Sequence, residues 1–123
     1  MDACCALLLQ NAGVDLADAH ARFDGDEALF LTLVTMYLDD AHFDGIVDAL
    51  GKDDVQRAFK HAHALKGAAG NLSLSRLHDA ASATCELLRA GEVEAARASL
   101  TKLSRAHDAA RRNLAALKDA GLG

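Results

Sequence analysis

The stretch of sequence that decides the fold runs from Phe59 to Gly70 and reads FKHAHALKGAAG. Drawn as an α-helix, with about 100° between residues, it gathers its apolar side chains on one arc. Extended upstream, that arc contains Val55, Ala58, Phe59, Ala62, Leu65 and Ala69. His63 falls at the rim of the arc, one turn from Lys60 and Lys66 and beside Gly67. The pattern predicts a core-facing helix that presents a histidine between two ammonium groups.

Composition favours one helical domain. The 123 residues are 51% hydrophobic and contain no proline, a balance typical of helices rather than sheets. The net charge of −5 argues against binding to a nucleic acid backbone, and no apolar run approaches the roughly 18 residues that span a bilayer. The start lacks the basic region of a signal peptide, and three cysteines give no disulfide framework. We therefore expect a single cytoplasmic domain over residues 1–123, without nucleic acid or membrane partners.

The first part of the chain contains two short amphipathic segments and one strongly apolar one. Segments 2–11 and 14–22 are predicted to pack as lead helices over the end of a bundle. Asp24 and Glu27 then have the spacing of a capping box at the start of an apolar helix over residues 28–41. The surplus of apolar side chains in this helix fits either dense packing or a docking patch on its exposed face.

The later helices are separated by short turns. Gly51 is predicted to end one helix, a capping box that begins at Asp53 opens the helix of His63, and Ser73 or Ser75 is expected to cap the next. The last helix repeats its apolar residues every three or four positions. Short connections make neighbouring helices antiparallel.

Together these elements predict an all-α fold, an antiparallel up-down four-helix bundle over residues 24–119 with lead helices in residues 1–23. The regular seam of the last helix is also found in coiled-coil dimers. Small alanines on the seam and short loops favour packing within one chain, so we expect a monomer.

Other chemistries find little support. His61 and His63 point to different faces, and the chain has no His-Glu-x-x-His and no Cys-x-x-Cys metal motif. His107 lies on the apolar seam and is expected at the edge of the core. The other histidines are expected on the surface without a ligand set: His20, His42 and His78. No phosphate-binding glycine loop for ATP and no serine nucleophile elbow is present.

His63 combines three features that suit phosphoryl chemistry. An imidazole is largely neutral, and therefore nucleophilic, in the cytoplasm. Lys60 and Lys66 can offset the charge of an incoming phosphoryl group. Gly67 and Gly70 each cost the helix about 1 kcal/mol relative to alanine, which suggests clearance for another molecule. A helix-end role would explain Gly70 but not Gly67.

Residues 62–67, AHALKG, resemble the signature of the histidine-containing phosphotransfer (HPt) domain, and AAGNL over 68–72 continues the likeness. The layout is also similar, because FDGDE over 23–27 precedes a long apolar helix and ELLRAG over 86–91 ends another. The resemblance covers roughly residues 14–117.

The resemblance implies a four-helix bundle whose His63 accepts a phosphoryl group, through Nε2, from the aspartate of a receiver domain and passes it to another receiver. It implies that Lys66 stabilises the phosphoryl oxygens and that Gly67 gives steric access. Lys60 and Gly70 are expected to support the site because of their positions on the helix, not because of the resemblance. The implied partners are response-regulator or hybrid-kinase receivers, which would hold the Mg²⁺, so no cofactor and no metal is expected in this chain.

The chain departs from the family pattern at two positions. Ser73 stands where the family commonly has glycine. Cys85 falls where the family often has a glutamine or glutamate that orients the histidine ring, and Glu86, the next residue, points away. A water molecule or the Cys85 thiol, a weak partner, would have to take that place.

Three alternatives compete with a phosphorelay carrier. A phospho-acceptor module of a chemotaxis-type kinase would have the same fold but receive its phosphate from an ATP-binding domain. A dimerising histidine-kinase core is disfavoured because Ala64, not an acidic residue, follows the histidine. A helical-bundle adaptor would bind a partner without chemistry and would not need Lys66 and Gly67 beside an exposed histidine. For a carrier, the apolar helix over 29–38 is expected to contribute to the receiver's docking face.

Overall fold

The structure is a computed structural model that describes residues 1–121 of the predicted domain; residues 122 and 123 lie outside the described part. Seven α-helices and one short 3₁₀ helix (Met36–Asp39, between α3 and α4) make up the fold. The α-helices are α1 Ala3–Asn11, α2 Leu16–Arg22, α3 Glu27–Thr35, α4 His42–Gly51, α5 Val55–Asn71, α6 Ser75–Arg89 and α7 Val93–Asp119. Residues 1–121 contain no strand, and the all-α prediction is confirmed. That residues 1–123 form a single domain stays a prediction.

Helices α4 to α7 form the antiparallel bundle. Helix α5 packs between α4 and α6, and α7 completes the ring by contacting both α6 and α4. Near the end of α5, Gly70 lies against His78 at the start of α6. Near the start of α5, Phe59 lies under the guanidinium of Arg89 at the end of α6. These two contacts show that α5 and α6 run in opposite directions, as predicted from the short turns.

The core is built from one face of each bundle helix. On α5 the predicted arc is buried, because Ala58, Ala62, Leu65 and Ala69 have no exposed surface. Helix α7 buries residues at the predicted spacing of three and four: Ala96, Leu103, Ala106, His107, Ala110, Leu114 and Leu117. The regular seam of α7 therefore packs within the chain.

A buried polar contact joins the 3₁₀ helix to α7. The Tyr37 hydroxyl and His107 Nδ1 share a hydrogen bond of 2.6 Å, with 1% and 6% of the two residues exposed. The His107 ring also stacks on Phe43, with 4.4 Å between ring centroids. Burial first, and then the charge of Arg111, lowers the pKa of His107. His107 thus lies in the core, deeper than the core edge at which its place on the seam predicts it.

The apolar segment over residues 28–41 is both packed and exposed. It is shorter than predicted as a helix, since α3 ends at Thr35 and the 3₁₀ helix follows. Phe30 and Val34 are buried, whereas Leu29 and Met36 are 46% and 60% exposed. Part of the surplus apolar surface is therefore packed and part is exposed; that the exposed part is a docking patch stays a prediction.

The predicted capping boxes are displaced along the chain. Asp26 rather than Asp24 caps α3, and Asp54 rather than Asp53 caps α5; each carboxylate accepts the backbone N–H three residues on. Asp24 and Asp53 instead take the left-handed conformation, with φ of 54° and 55°. Aspartate tolerates that conformation better than most residues, so the earlier aspartate shapes the turn and the later one caps the helix.

The other predicted helix boundaries are corrected in a similar way. Gly51 does not stop α4 but is its last helical residue. Neither Ser73 nor Ser75 caps α6, because its N-cap is Leu74, which makes no side-chain cap bond. Ser73 has φ of 57°, and its Oγ donates a hydrogen bond of 2.7 Å to Asp18. The turn thus uses Ser73 to hold α2 rather than to start α6.

The lead helices cover the end of the bundle where α5 meets α6, as predicted. The Asp15 N–H donates to the Ser73 carbonyl at 3.0 Å, and the Arg76 N–H donates to the Gly13 carbonyl at 3.3 Å. Helix α1 packs along α7, burying Cys5 and Leu9. These contacts bring the last residue of α2 towards the outer face of α5.

Candidate functional site

His63 lies in the middle of α5 and is exposed to solvent. Its ring sits beside the ring of Phe59, one turn earlier, with 6.0 Å between centroids and an interplanar angle of 30°. Phe59 is half-buried and carries the Arg89 guanidinium over its ring at 5.5 Å. Packing thus supports one side of the imidazole while its outer edge faces solvent, as the rim position predicts.

A shallow pocket opens beside His63. It is lined by residues from α2, α5 and α6: Arg22, Lys66, Gly67, Gly70, Asn71 and His78. The predicted site residues Lys66, Gly67 and Gly70 are therefore brought together with the histidine. Lys60 is exposed and lies one turn away, where it lines a neighbouring groove with Phe59 and Arg89.

The two glycines of the site have different surroundings. A Cβ atom added at Gly67 would meet nothing within 4 Å, so packing within the described chain gives no reason for a glycine there. A Cβ atom at Gly70 would lie 3.1 Å from Nδ1 of His78. Gly70 therefore makes room for a side chain of α6, whereas the space beside Gly67 is open to an approaching molecule.

A comparison with protein families agrees with this arrangement. The family model of the Hpt domain matches residues 5–120. The chain belongs to the Hpt domain family. The match confirms the resemblance inferred from residues 62–67 and extends it to α1. No curated protein and no solved structure gives a significant match.

Membership of the Hpt domain family assigns this chain a histidine phosphotransfer role in phosphorelays, in which such domains interact with receiver domains. The observed all-helical bundle agrees with that assignment. In the part of the chain that the structure describes, no helix combines the length and the apolar character needed to cross a bilayer.

Cys85 does not reach the site of this Hpt domain. It is fully buried in α6 and does not line the pocket beside His63. Glu86 is exposed and forms an ion pair with Arg89 at 3.6 Å. The structure therefore places neither residue where it orients the imidazole, and Phe59 is the side chain whose ring lies beside it.

His78 belongs to the site, although the sequence places it on the surface without a role. It is half-buried, and its Nδ1–H donates to the backbone carbonyl of Lys66 at 3.0 Å. Its ring occupies the space that Gly70 leaves free. The contact joins two helices, so only their relative register could have revealed it.

A second pair of histidines lies on the opposite side of α5. His61 points away from His63, as predicted, and its Nδ1 is 3.1 Å from Nδ1 of His42. Its ring covers Gly45, where an added Cβ atom would come within 2.6 Å. His42 is thus part of a packed helix contact rather than a free surface residue. Residues 1–121 contain no cluster of three or more potential metal ligands.

Proposed function

We propose that His63 accepts a phosphoryl group from the phospho-aspartate of one receiver domain and passes it to the aspartate of another. The observation that carries the proposal is the exposed His63 beside the open space at Gly67. A nucleophile on a small carrier has to enter the partner's active site, and a missing side chain next to it allows that approach.

The chemistry needs only a nitrogen nucleophile and cations from this chain. The Nε2 lone pair of neutral His63 attacks phosphorus, an N–P bond forms, and the acyl P–O bond breaks to release the aspartate carboxylate. Transfer to the second receiver reverses these events. Charge on the phosphoryl oxygens is offset by Lys66, which lines the same pocket. Mg²⁺ is expected in the receiver domain, which supplies the rest of the machinery.

The receiver is proposed to dock over the groove next to the pocket. That groove lies between α5 and α6 and is lined by Val55, Gln56, Phe59, Lys60, Leu88 and Arg89. It adjoins His63 through Phe59, and it combines an apolar floor with cations at its rim. Exposed apolar residues of α3, such as Leu29, are proposed as a further part of the docking face.

Two further properties complete the proposal. We expect the chain to act as a single-domain monomer over residues 1–123 in the cytoplasm, as a phosphohistidine carrier without an ATP-binding site or a resident metal. The adaptor alternative predicts binding to a partner without phosphorylation. The kinase-module alternative predicts that His63 is labelled only by an ATP-binding domain and not by a receiver.

The test is to incubate the purified chain with a phosphorylated receiver and to measure intact mass and the modified residue. Wild type and His61→Gln, a matched change two residues away, are expected to gain one acid-labile phosphoryl group on residue 63. His63→Gln is expected to gain none while keeping its helical circular dichroism spectrum. Labelling of folded His63→Gln, or no labelling of wild type by any of several receivers, would overturn the proposal.

A further inference from the structure

The His63 pocket contains a cation from a segment that the sequence assigns only to covering the bundle. Arg22, the last residue of α2, lines this pocket together with Lys66, Gly67 and His78. Within the pocket Lys66 and Arg22 are the two permanently charged side chains, and they come from different elements. Lys60, the other cation near His63, lines the neighbouring groove instead.

Arg22 reaches the pocket because α2 is held against the turn between α5 and α6. Ser73 Oγ donates to Asp18 Oδ2 at 2.7 Å, and the Asp15 N–H donates to the Ser73 carbonyl at 3.0 Å. The Ser73 hydroxyl is also the main cause that lowers the pKa of Asp18. Asp18 is therefore a charged acceptor one turn before Arg22 on the same helix.

Most of the Arg22 guanidinium remains available for another anion. Its ion pair with Asp18 uses one nitrogen, Nη2, at 3.4 Å, and 43% of the side chain is exposed. A guanidinium has five N–H donors in a planar fork that fits two oxygens of one phosphate. The contact with Asp18 thus restrains the side chain and leaves the other N–H donors available to a group bound in the pocket that Arg22 lines.

A phosphoryl group has more negative charge than Lys66 alone can offset. A phosphorylated side chain has about 1.5 to 2 negative charges and three acceptor oxygens near neutral pH. Lys66 offers a single ammonium and is itself half-buried. A second cation in the same pocket would bring the local charge close to neutrality.

We propose that Arg22 is a phosphate-binding residue that contacts the phosphoryl oxygens on phosphorylated His63, opposite Lys66. The inference rests on the proposed function for its biological setting, but the contact itself needs no receiver. In this arrangement the lead helices have a second role beyond covering the bundle, since they position a guanidinium at the acceptor histidine.

The test separates the contact from the transfer reaction. Phosphoramidate labels histidine directly, forming the N–P bond and releasing ammonia, so phosphorylated His63 is prepared without a partner. The ³¹P resonance of this group is then compared between wild type, Arg22→Gln, Arg22→Lys and Arg112→Gln. Arg112 is an exposed arginine of α7 that does not line the pocket, so it is the matched control.

We expect Arg22→Gln to shift the ³¹P resonance and to slow transfer from a phosphorylated receiver by roughly tenfold or more, the usual effect of losing one charged hydrogen bond. Arg22→Lys keeps the charge but loses the fork, so its effects are expected to be smaller, and Arg112→Gln should match wild type. An unchanged ³¹P resonance in folded Arg22→Gln would overturn the proposal. If transfer alone fell, Arg22 would contact the receiver protein instead, which also overturns it. A wild-type chain that no receiver labels would refute the proposed function, whereas the ³¹P comparison would still decide the role of Arg22.

Discussion

Gly67 is the position at which one substitution should separate the stability of the fold from its function. It lies inside α5, one turn after His63, and a Cβ atom there meets nothing within 4 Å. Glycine in a helix interior is about 0.8 to 1.0 kcal/mol less favourable than alanine. Gly67→Ala should therefore raise the free energy of unfolding by about 1 kcal/mol. For a domain of this size that corresponds to a Tm increase of roughly 3 to 6 °C.

The same substitution should impair phosphotransfer. Any side chain at residue 67 projects into the space beside His63, which a receiver enters under the proposed function. A displacement of about 1 Å between reacting groups costs on the order of 100-fold in rate. We expect that loss for Gly67→Gln, whose side chain is long, and a smaller loss for Gly67→Ala. Stability and transfer rate are thus expected to change in opposite directions.

The assay pairs chemical denaturation with the rate at which a phosphorylated receiver loses its label to the chain. Gly51 provides the control, because it is also an exposed helical glycine with nothing within 4 Å of an added Cβ atom. It lies in the last turn of α4 and does not line the His63 pocket. Gly51→Ala and Gly51→Gln should raise stability without slowing transfer. A wild-type transfer rate in Gly67→Gln would refute the clearance argument, and a destabilised Gly67→Ala would show that residue 67 is not free of packing constraints.

The remaining predictions concern the core and the turn that holds α2. Tyr37→Phe leaves Nδ1 of buried His107 without its partner, so the free energy of unfolding should fall by about 1 to 3 kcal/mol in denaturant titrations. Because burial lowers the pKa of His107, the unfolded chain binds a proton at this residue more readily than the folded chain does. The free energy of unfolding should therefore fall as the pH drops below about 6.5, and should not depend on this group above that pH. His107→Gln should reduce that fall. Ser73→Ala and Ser73→Gly both lose the hydrogen bond to Asp18, so NMR titration should show the pKa of Asp18 rising in both variants. Because residue 73 has a left-handed backbone, which glycine adopts more easily than alanine, Ser73→Ala should be less stable than Ser73→Gly by about 1 kcal/mol. An equal Tm for the two Ser73 variants would contradict the backbone argument.

Most of the fold follows from helical periodicity, which is a local property. The arc from Ala58 to Ala69 is predicted from spacing alone, and its inner residues are fully buried in the structure. Helix ends are less predictable, because adjacent polar residues compete for the same turn. Asp53 and Asp54 can each cap α5, and the choice depends on which one takes the left-handed conformation that closes the turn. That choice reflects the path of the whole turn, which a capping motif does not contain.

The residues of the site likewise include some whose proximity follows from the local sequence and others whose proximity depends on helix packing. His63, Lys66 and Gly67 lie within one turn of α5, so their proximity is determined as soon as the segment is helical. Arg22 and His78 reach the pocket from α2 and α6, and only the packing of those helices decides this. Asp18 and Arg22 are one turn apart and form an ion pair on α2, but their spacing does not show which part of the bundle that pair faces.

Gly67 and Gly70 both lower the stability of α5 relative to alanine, but the sequence does not show what each glycine provides in return. Both glycines weaken a helix by similar amounts; from the sequence Gly70 fits either clearance or a helix end, whereas Gly67 fits clearance only. The structure shows that their surroundings differ, since His78 fills the space at Gly70 whereas no described residue fills the space at Gly67. The cost at Gly70 is offset inside the chain, by the packing of His78 and its bond to the Lys66 carbonyl. At Gly67 no packing among residues 1–121 offsets the loss of helix stability, and for that reason we propose that the benefit of this glycine comes from a molecule that binds at His63.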